Sequence, residues 1–126
     1  MLLTSQQFVD VIKEKIIEIS PKQLSESADE VVLIDVREPQ ELEGGIISNS
    51  YPIPRGTLEM NIIAYLVDTL KVEDVSNAPI VLYCRSGARS ALATESLKRM
   101  GFNNVSSLKG GITQWSSAGY PLVEQS

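Results

Sequence analysis

The sequence predicts an α/β fold, a three-layer α/β/α sandwich around a mostly parallel five-stranded sheet with an added N-terminal helix. Residues 31–34 and 80–83 are uninterrupted apolar runs, as is typical of parallel strands buried on both faces. Segments with apolar residues at helical spacing alternate with such runs, as in βαβ units. With 126 residues and 43% apolar content, we expect one domain over 1–126, divided into a helical extension (1–16) and a core (17–123).

Two capping boxes mark the first helices. Thr4 with Gln7 precedes an amphipathic segment, and Ser20 with Gln23 precedes a second helix. Between them, 17–19 predicts a short strand. The first helix has two interpretations, since its apolar face could cover the sandwich or dock a partner.

The middle of the chain contains the 31–34 strand, which ends at Asp35. Ile53 lies between two prolines, so at most a short edge strand fits there. Residues 58–70 have apolar side chains at helical spacing, which predicts a helix.

In the second half, the 80–83 strand leads into a loop and then a helix over 91–100. Gly101 is a helix-ending residue, and 105–108 predicts the last strand. A Gly110-Gly111 turn then leads into a final helix that contains Trp115 and ends at Gly119.

Composition limits the possible functions. A net charge of -5 and a pI near 4.7 argue against non-specific binding to nucleic acid or to an anionic membrane. The absence of histidine excludes Cys-His and Ser-His pairs and histidine metal sites, so we expect neither metal nor cofactor. Neither a leader nor a membrane span is evident, and one cysteine forms no internal disulfide. We therefore expect a soluble cytoplasmic protein.

Cys84 is the best candidate for chemistry. It lies between the 80–83 strand and a helix, where unpaired amides and the helix dipole favour a thiolate. The competing interpretation is an inert, buried cysteine. The candidate loop residues that follow it are Arg85, Ser86, Gly87, Ala88, Arg89 and Ser90.

Three arginine or aspartate positions complete the candidate site. Asp35 shares the Cys84 rim of the sheet, where it orients the loop or caps a turn. Arg37 braces the loop or pairs with Glu41. Arg55 adds a cation at the pocket rim or pairs with Glu59.

Three blocks of sequence resemble the single-domain rhodanese-like sulfurtransferases. They are Asp35 to Leu42, the Cys84 loop, and Leu108 to Ile112 with Trp115, Gly119 and Pro121. The resemblance runs from about Ile17 to Val123. It departs after Gly44, where Gly45 replaces the histidine of many members and the following loop is altered.

The resemblance implies that Cys84 accepts a sulfane sulfur as a persulfide while the loop amides surround it. The expected donors are thiosulfate or a persulfide, and the expected acceptors are cyanide, a small thiol or a protein thiol. Arg85 and Arg89 suit an oxyanion donor. The alternative within this resemblance is a sulfur carrier that delivers its persulfide to a partner protein.

A third hypothesis is a phosphatase, because phosphatases that share the fold also use a cysteine loop ending in arginine. Phosphate-hydrolysing loops place five residues between these two side chains, whereas four separate Cys84 from Arg89. The shorter loop favours a single sulfur atom.

Overall fold

The structure is a computed structural model that describes residues 1–125. Five strands and five α-helices follow one another along this part of the chain. The order is α1 (Ser5–Lys13), β1 (Glu18–Ile19), α2 (Pro21–Ser27), β2 (Val32–Asp35), β3 (Ser50–Pro52), α3 (Leu58–Ala64), β4 (Ile80–Tyr83), α4 (Ala88–Met100), β5 (Val105–Leu108) and α5 (Gly111–Ser117). None of these helices is both long and apolar enough to cross a membrane.

The five strands form one parallel sheet in the order β1-β5-β4-β2-β3. Asp35, at the end of β2, pairs in register with Tyr83, at the end of β4. The carboxyl ends of the strands therefore meet along one rim, where α/β folds bind their ligands. The predicted fold class is confirmed.

Helices cover both faces of the sheet and enclose two cores. The larger core packs α3 and α4 on one face, with Ile34, Leu82 and Leu97 among its fully buried members. The smaller core packs α2 and α5 on the other face, around Leu24 and Trp115. Alternate residues of β4 enter opposite cores, so this strand is buried along its whole length.

Several boundaries differ from the prediction. The edge strand β3 precedes Ile53, although the Ile53 amide still donates to Asp35 O at 3.0 Å. Helix α4 begins at Ala88 because the left-handed backbone of Gly87 (φ +98°) turns the chain directly into it. Helix α3 continues as a π-helix over Tyr65–Thr69.

The N-terminal helix packs against α4 and buries Val9 and Ile12. Both predicted capping boxes form, including Gln7 N to Thr4 Oγ1 at 3.1 Å. Helical spacing places Phe8 on the same side of α1 as Val9 and Ile12, but Phe8 remains 46% exposed.

Tyr83 carries the main polar contact inside the smaller core. Its hydroxyl accepts from Ile47 N at 3.1 Å and lies 2.9 Å from Ser50 Oγ. Ser50 Oγ also donates to Ile47 O, at 2.7 Å, which leaves the tyrosine hydroxyl as donor to Ser50. Burial raises the pKa of Tyr83 well above its ordinary value, so the hydroxyl stays protonated.

Replacing Tyr83 with phenylalanine leaves the buried Ile47 amide without a partner. We expect Tyr83→Phe to lower the free energy of unfolding by about 1–3 kcal/mol, measured by urea denaturation at pH 7. Tyr51→Phe is the matched control, because the Tyr51 hydroxyl makes no hydrogen bond within residues 1–125. Equal small losses in both variants would contradict this account.

Candidate active site

Cys84 follows the last residue of β4 and is 1% exposed. Its Sγ accepts hydrogen bonds from Gly87 N at 3.2 Å and Ser90 N at 3.4 Å. Two backbone amides at the start of α4 therefore point at the sulfur, and amides so placed stabilise negative charge.

Ser90 lies beneath the sulfur and is fully buried. Its Oγ is 3.5 Å from Cys84 Sγ and 2.8 Å from Ser107 Oγ, on β5. Gly87, and not Ser90, occupies the cap position of α4. Ser107 is a site residue that sequence reasoning missed, and only its position in the neighbouring strand connects it with the loop.

The start of α5 fixes the first residues of the loop. Ile112 N donates to Cys84 O at 2.9 Å, and Thr113 N donates to Arg85 O at 3.0 Å. A Cβ on Gly111 would lie 2.5 Å from Arg85 O and 2.6 Å from Cys84 O. Only glycine permits this approach, so Gly111 does more than make the predicted turn.

Arg85 and Ser86 are the exposed members of the loop. Arg85 has no ion-pair partner among residues 1–125. Together with Arg37, Glu41, Ile112 and Thr113 it lines an open pocket of about 260 Å³. A free guanidinium at such a mouth can bind an anionic group.

Arg89, in contrast, is part of an ion pair. Its Nη1 and Nη2 contact Glu41 Oε1 and Oε2 at 2.7 and 2.9 Å. These hydrogen bonds lower the pKa of Glu41 from its ordinary 4.5 to about 2. The expectation of two free loop cations therefore needs correction, because Glu41 compensates one of them.

The Asp35–Arg37 pair is buried one strand away from Cys84. Arg37 donates to both carboxylate oxygens of Asp35 at 2.8–3.1 Å, to Glu41 O at 3.2 Å and to Gly45 O at 2.9 Å. Burial lowers the pKa of Arg37, but the hydrogen bonds and the negative charge of Asp35 raise it. The net change is upward. The pair therefore braces residues 37–45, and through them Glu41, instead of bonding to the Cys84 loop directly.

For Arg55, the structure selects the second of the two interpretations. Its Nη1 lies 2.9 Å from Glu59 Oε2, and Ser96 Oγ donates to the same oxygen at 2.6 Å. The Arg55 backbone lies near the rim, since its amide donates to Val36 O, but its charge is paired.

Residues 1–125 contain no cluster of three or more carboxylate or thiol side chains placed to bind a metal ion. The arrangement provides one cysteine, two amides aimed at its sulfur and, in the same loop, one arginine without an ion pair among residues 1–125. These groups are suited to nucleophilic chemistry on an anionic substrate.

A model of the rhodanese-like domain matches residues 20–118. The chain belongs to the rhodanese-like domain family. A sulfurtransferase of Allochromatium vinosum is 33% identical over 109 residues, which cover 84% of this chain and 94% of that protein.

Two solved structures extend the comparison of this rhodanese-like domain. The polysulfide-sulfur transferase homodimer of Wolinella succinogenes is 31% identical with a TM-score of 0.71, over 94% of this chain and 85% of that one. A Rhodopseudomonas palustris protein of unknown function, described as a possible tyrosine phosphatase, is 30% identical with a TM-score of 0.79 over 98% and 96%. Two of these three similar proteins, those of Allochromatium vinosum and Wolinella succinogenes, are named as sulfur-transferring proteins.

Adding a methyl group at Gly111 should displace the Cys84 loop. We expect Gly111→Ala to lower the free energy of unfolding by more than about 1 kcal/mol, because the Cβ collides with two carbonyls in addition to backbone strain. Gly119→Ala is the matched control, since Gly119 also has a positive φ (+91°) but an added Cβ meets nothing within 4 Å. Urea denaturation measures both, and a larger loss in Gly119→Ala would refute the argument.

The Glu41–Arg89 pair predicts a pH dependence of stability. Because the pKa of Glu41 falls from 4.5 to about 2 on folding, its contribution is fully present above pH 4.5 and disappears as the pH falls towards 2. We expect Arg89→Gln to move the Glu41 carboxyl titration, followed by NMR, back towards 4.5. An unchanged Glu41 midpoint would show that the pair is not formed in solution.

Proposed function

We propose that this rhodanese-like domain transfers a sulfane sulfur from thiosulfate or a persulfide donor to a thiophilic acceptor through a persulfide on Cys84. The observation that supports this most is the sulfur environment, in which the amides of Gly87 and Ser90 both donate to Sγ. These donors stabilise a thiolate without a histidine base.

In the first half-reaction, the Cys84 thiolate attacks the outer sulfur of thiosulfate. A new S–S bond forms on Cys84, the S–S bond of thiosulfate breaks, and its electron pair leaves with sulfite. We assign Arg85, which lines the open pocket beside the loop, to binding the sulfonate oxygens and offsetting the charge of the departing sulfite. Because Cys84 is 1% exposed, a small donor fits better than a bulky one.

In the second half-reaction, an acceptor attacks the outer sulfur of the persulfide. The S–S bond to Cys84 breaks, and its electron pair restores the thiolate. Cyanide would leave as thiocyanate, and a thiol would leave as a persulfide. Cys84 is the only cysteine of the chain, so no second thiol in it competes for the sulfur.

The remaining site residues act on the position of the loop. We assign Arg89 to anchoring α4 on Glu41, and the Asp35–Arg37 pair to bracing the segment that carries Glu41. The Ser90 hydroxyl contacts the sulfur, and the Ser107 hydroxyl holds that of Ser90 in place. These are positioning roles, and Arg85 is the residue proposed to touch the donor.

The burial of Cys84 also supports a second candidate, a sulfur carrier that delivers its persulfide to a partner protein. A persulfide with little exposure reacts slowly with solutes, which suits storage better than turnover. A persulfide that forms fully but turns over slowly with cyanide and small thiols, and rapidly with a partner, would favour this candidate.

Intact-mass spectrometry of reduced protein after incubation with thiosulfate tests the enzyme proposal. We expect the wild type to gain one sulfur and to lose it when cyanide is added, and Cys84→Ser to gain none. A persulfide donor is used in parallel, so that thiosulfate specificity is tested separately from persulfide formation.

Sulfur uptake by Cys84→Ser would rule out the Cys84 mechanism. Arg85→Gln should slow uptake from thiosulfate by about tenfold, which corresponds to one charge-assisted hydrogen bond. Uptake from an alkyl persulfide, which has no sulfonate group and leaves as the thiol, should change little. Hydrolysis of an aryl phosphate that is lost in Cys84→Ser would favour phosphatase chemistry instead, although Arg89 is engaged by Glu41.

A further inference from the structure

A second pocket adjoins the Cys84 loop on the side of the N-terminal helix. It has a volume of about 430 Å³, and its lining includes Lys13, Ser20, Ser86, Lys109 and Gln114. These residues come from the end of α1, the start of α2, the Cys84 loop and the start of α5. The pocket therefore forms only when the N-terminal helix packs on the domain.

The charge of this pocket is opposite to that of the protein. Its lining includes two lysines and no carboxylate, although the chain as a whole has a net charge of -5. Lys109 is exposed and has no ion pair within residues 1–125, and Lys13 has only a long contact of 3.8 Å with Glu18. The charge of Lys109 is thus available to a ligand, whereas Glu18 offsets part of the charge of Lys13.

The pocket is close to the reactive sulfur. Ser86 is two residues from Cys84, so their α-carbons are at most about 7.6 Å apart. Gly110, which also lines the pocket, packs against Gly87, whose amide donates to Cys84 Sγ. Cys84 itself is buried and does not line the pocket, so Ser86 and Gly110 are the residues that connect the pocket with the Cys84 loop.

We propose that this pocket binds the carboxylate of a small anionic thiol that takes sulfur from Cys84. The proposal rests on the sulfurtransferase function proposed above and adds the chemical class of the acceptor. The thiolate of the acceptor attacks the outer sulfur of the Cys84 persulfide. The S–S bond to Cys84 breaks, its electron pair remains on Cys84 as thiolate, and the acceptor leaves as its own persulfide.

The reaction test compares two acceptors that differ in charge, 3-mercaptopropionate and its neutral amide. Protein in which Cys84 has first been converted to the persulfide is mixed with each thiol. Intact-mass spectrometry then follows the loss of the added sulfur. For the Lys13→Gln/Lys109→Gln variant we expect the rate with 3-mercaptopropionate to fall about fivefold to tenfold, as two exposed charge contacts would give. The rate with the amide should stay within about twofold, and the difference should shrink at high salt.

The matched control is Lys71→Gln/Arg99→Gln, which removes two positive charges outside the pocket. It should behave as wild type with both thiols. An equal loss in both variants would mean that net charge alone attracts the acceptor, and an equal loss with both thiols would mean that the carboxylate is not recognised. Either result overturns the proposal.

A binding measurement separates this proposal from the proposed function. In Cys84→Ser protein, NMR titration with 3-mercaptopropionate should shift the amides of Ser86, Lys109 and Gly110 saturably, and the added lysine substitutions should abolish the shifts. The absence of saturable shifts refutes the pocket even if Cys84 transfers sulfur. Saturable shifts support the pocket even if no persulfide forms on Cys84.

Discussion

The close contact between Gly111 and the carbonyls of Cys84 and Arg85 is the constraint on which the candidate site depends. It places the first amides of α5 where they bind those carbonyls. The loop backbone is thereby fixed at its first residues, and the left-handed Gly87 then turns it into α4. Because both ends of the loop are fixed, the amides of Gly87 and Ser90 remain directed at the sulfur without help from a bound ligand.

Around this backbone, the charged residues are arranged in two groups with different effects. Asp35, Arg37, Glu41 and Arg89 form a connected series of pairs that ties the segment after β2 to the start of α4. Their charges largely compensate one another, so they contribute position more than electrostatic attraction. Arg85 and the lysines beside Ser86 are outside this series, and they give an acidic protein positive side chains near the Cys84 loop.

Much of the fold follows from local sequence. The apolar runs of β2 and β4, the capping boxes at Thr4 and Ser20 and the glycine after Met100 each identify an element, because their causes act within a few residues. The boundary of β3 and the start of α4 were less well predicted. The boundary of β3 depends on where its hydrogen bonding to β2 stops. The start of α4 depends on the single left-handed residue Gly87, which turns the chain into the helix.

For the site, the sequence by itself predicted that the Cys84 loop and Asp35 share one rim of the sheet, because both follow buried parallel strands. It did not indicate that Glu41 compensates Arg89, that Ser107 supports Ser90, that Arg55 is paired, or that Lys13 lies near Ser86. Only the tertiary structure decided these, because each joins side chains that approach one another when the sheet and helices pack.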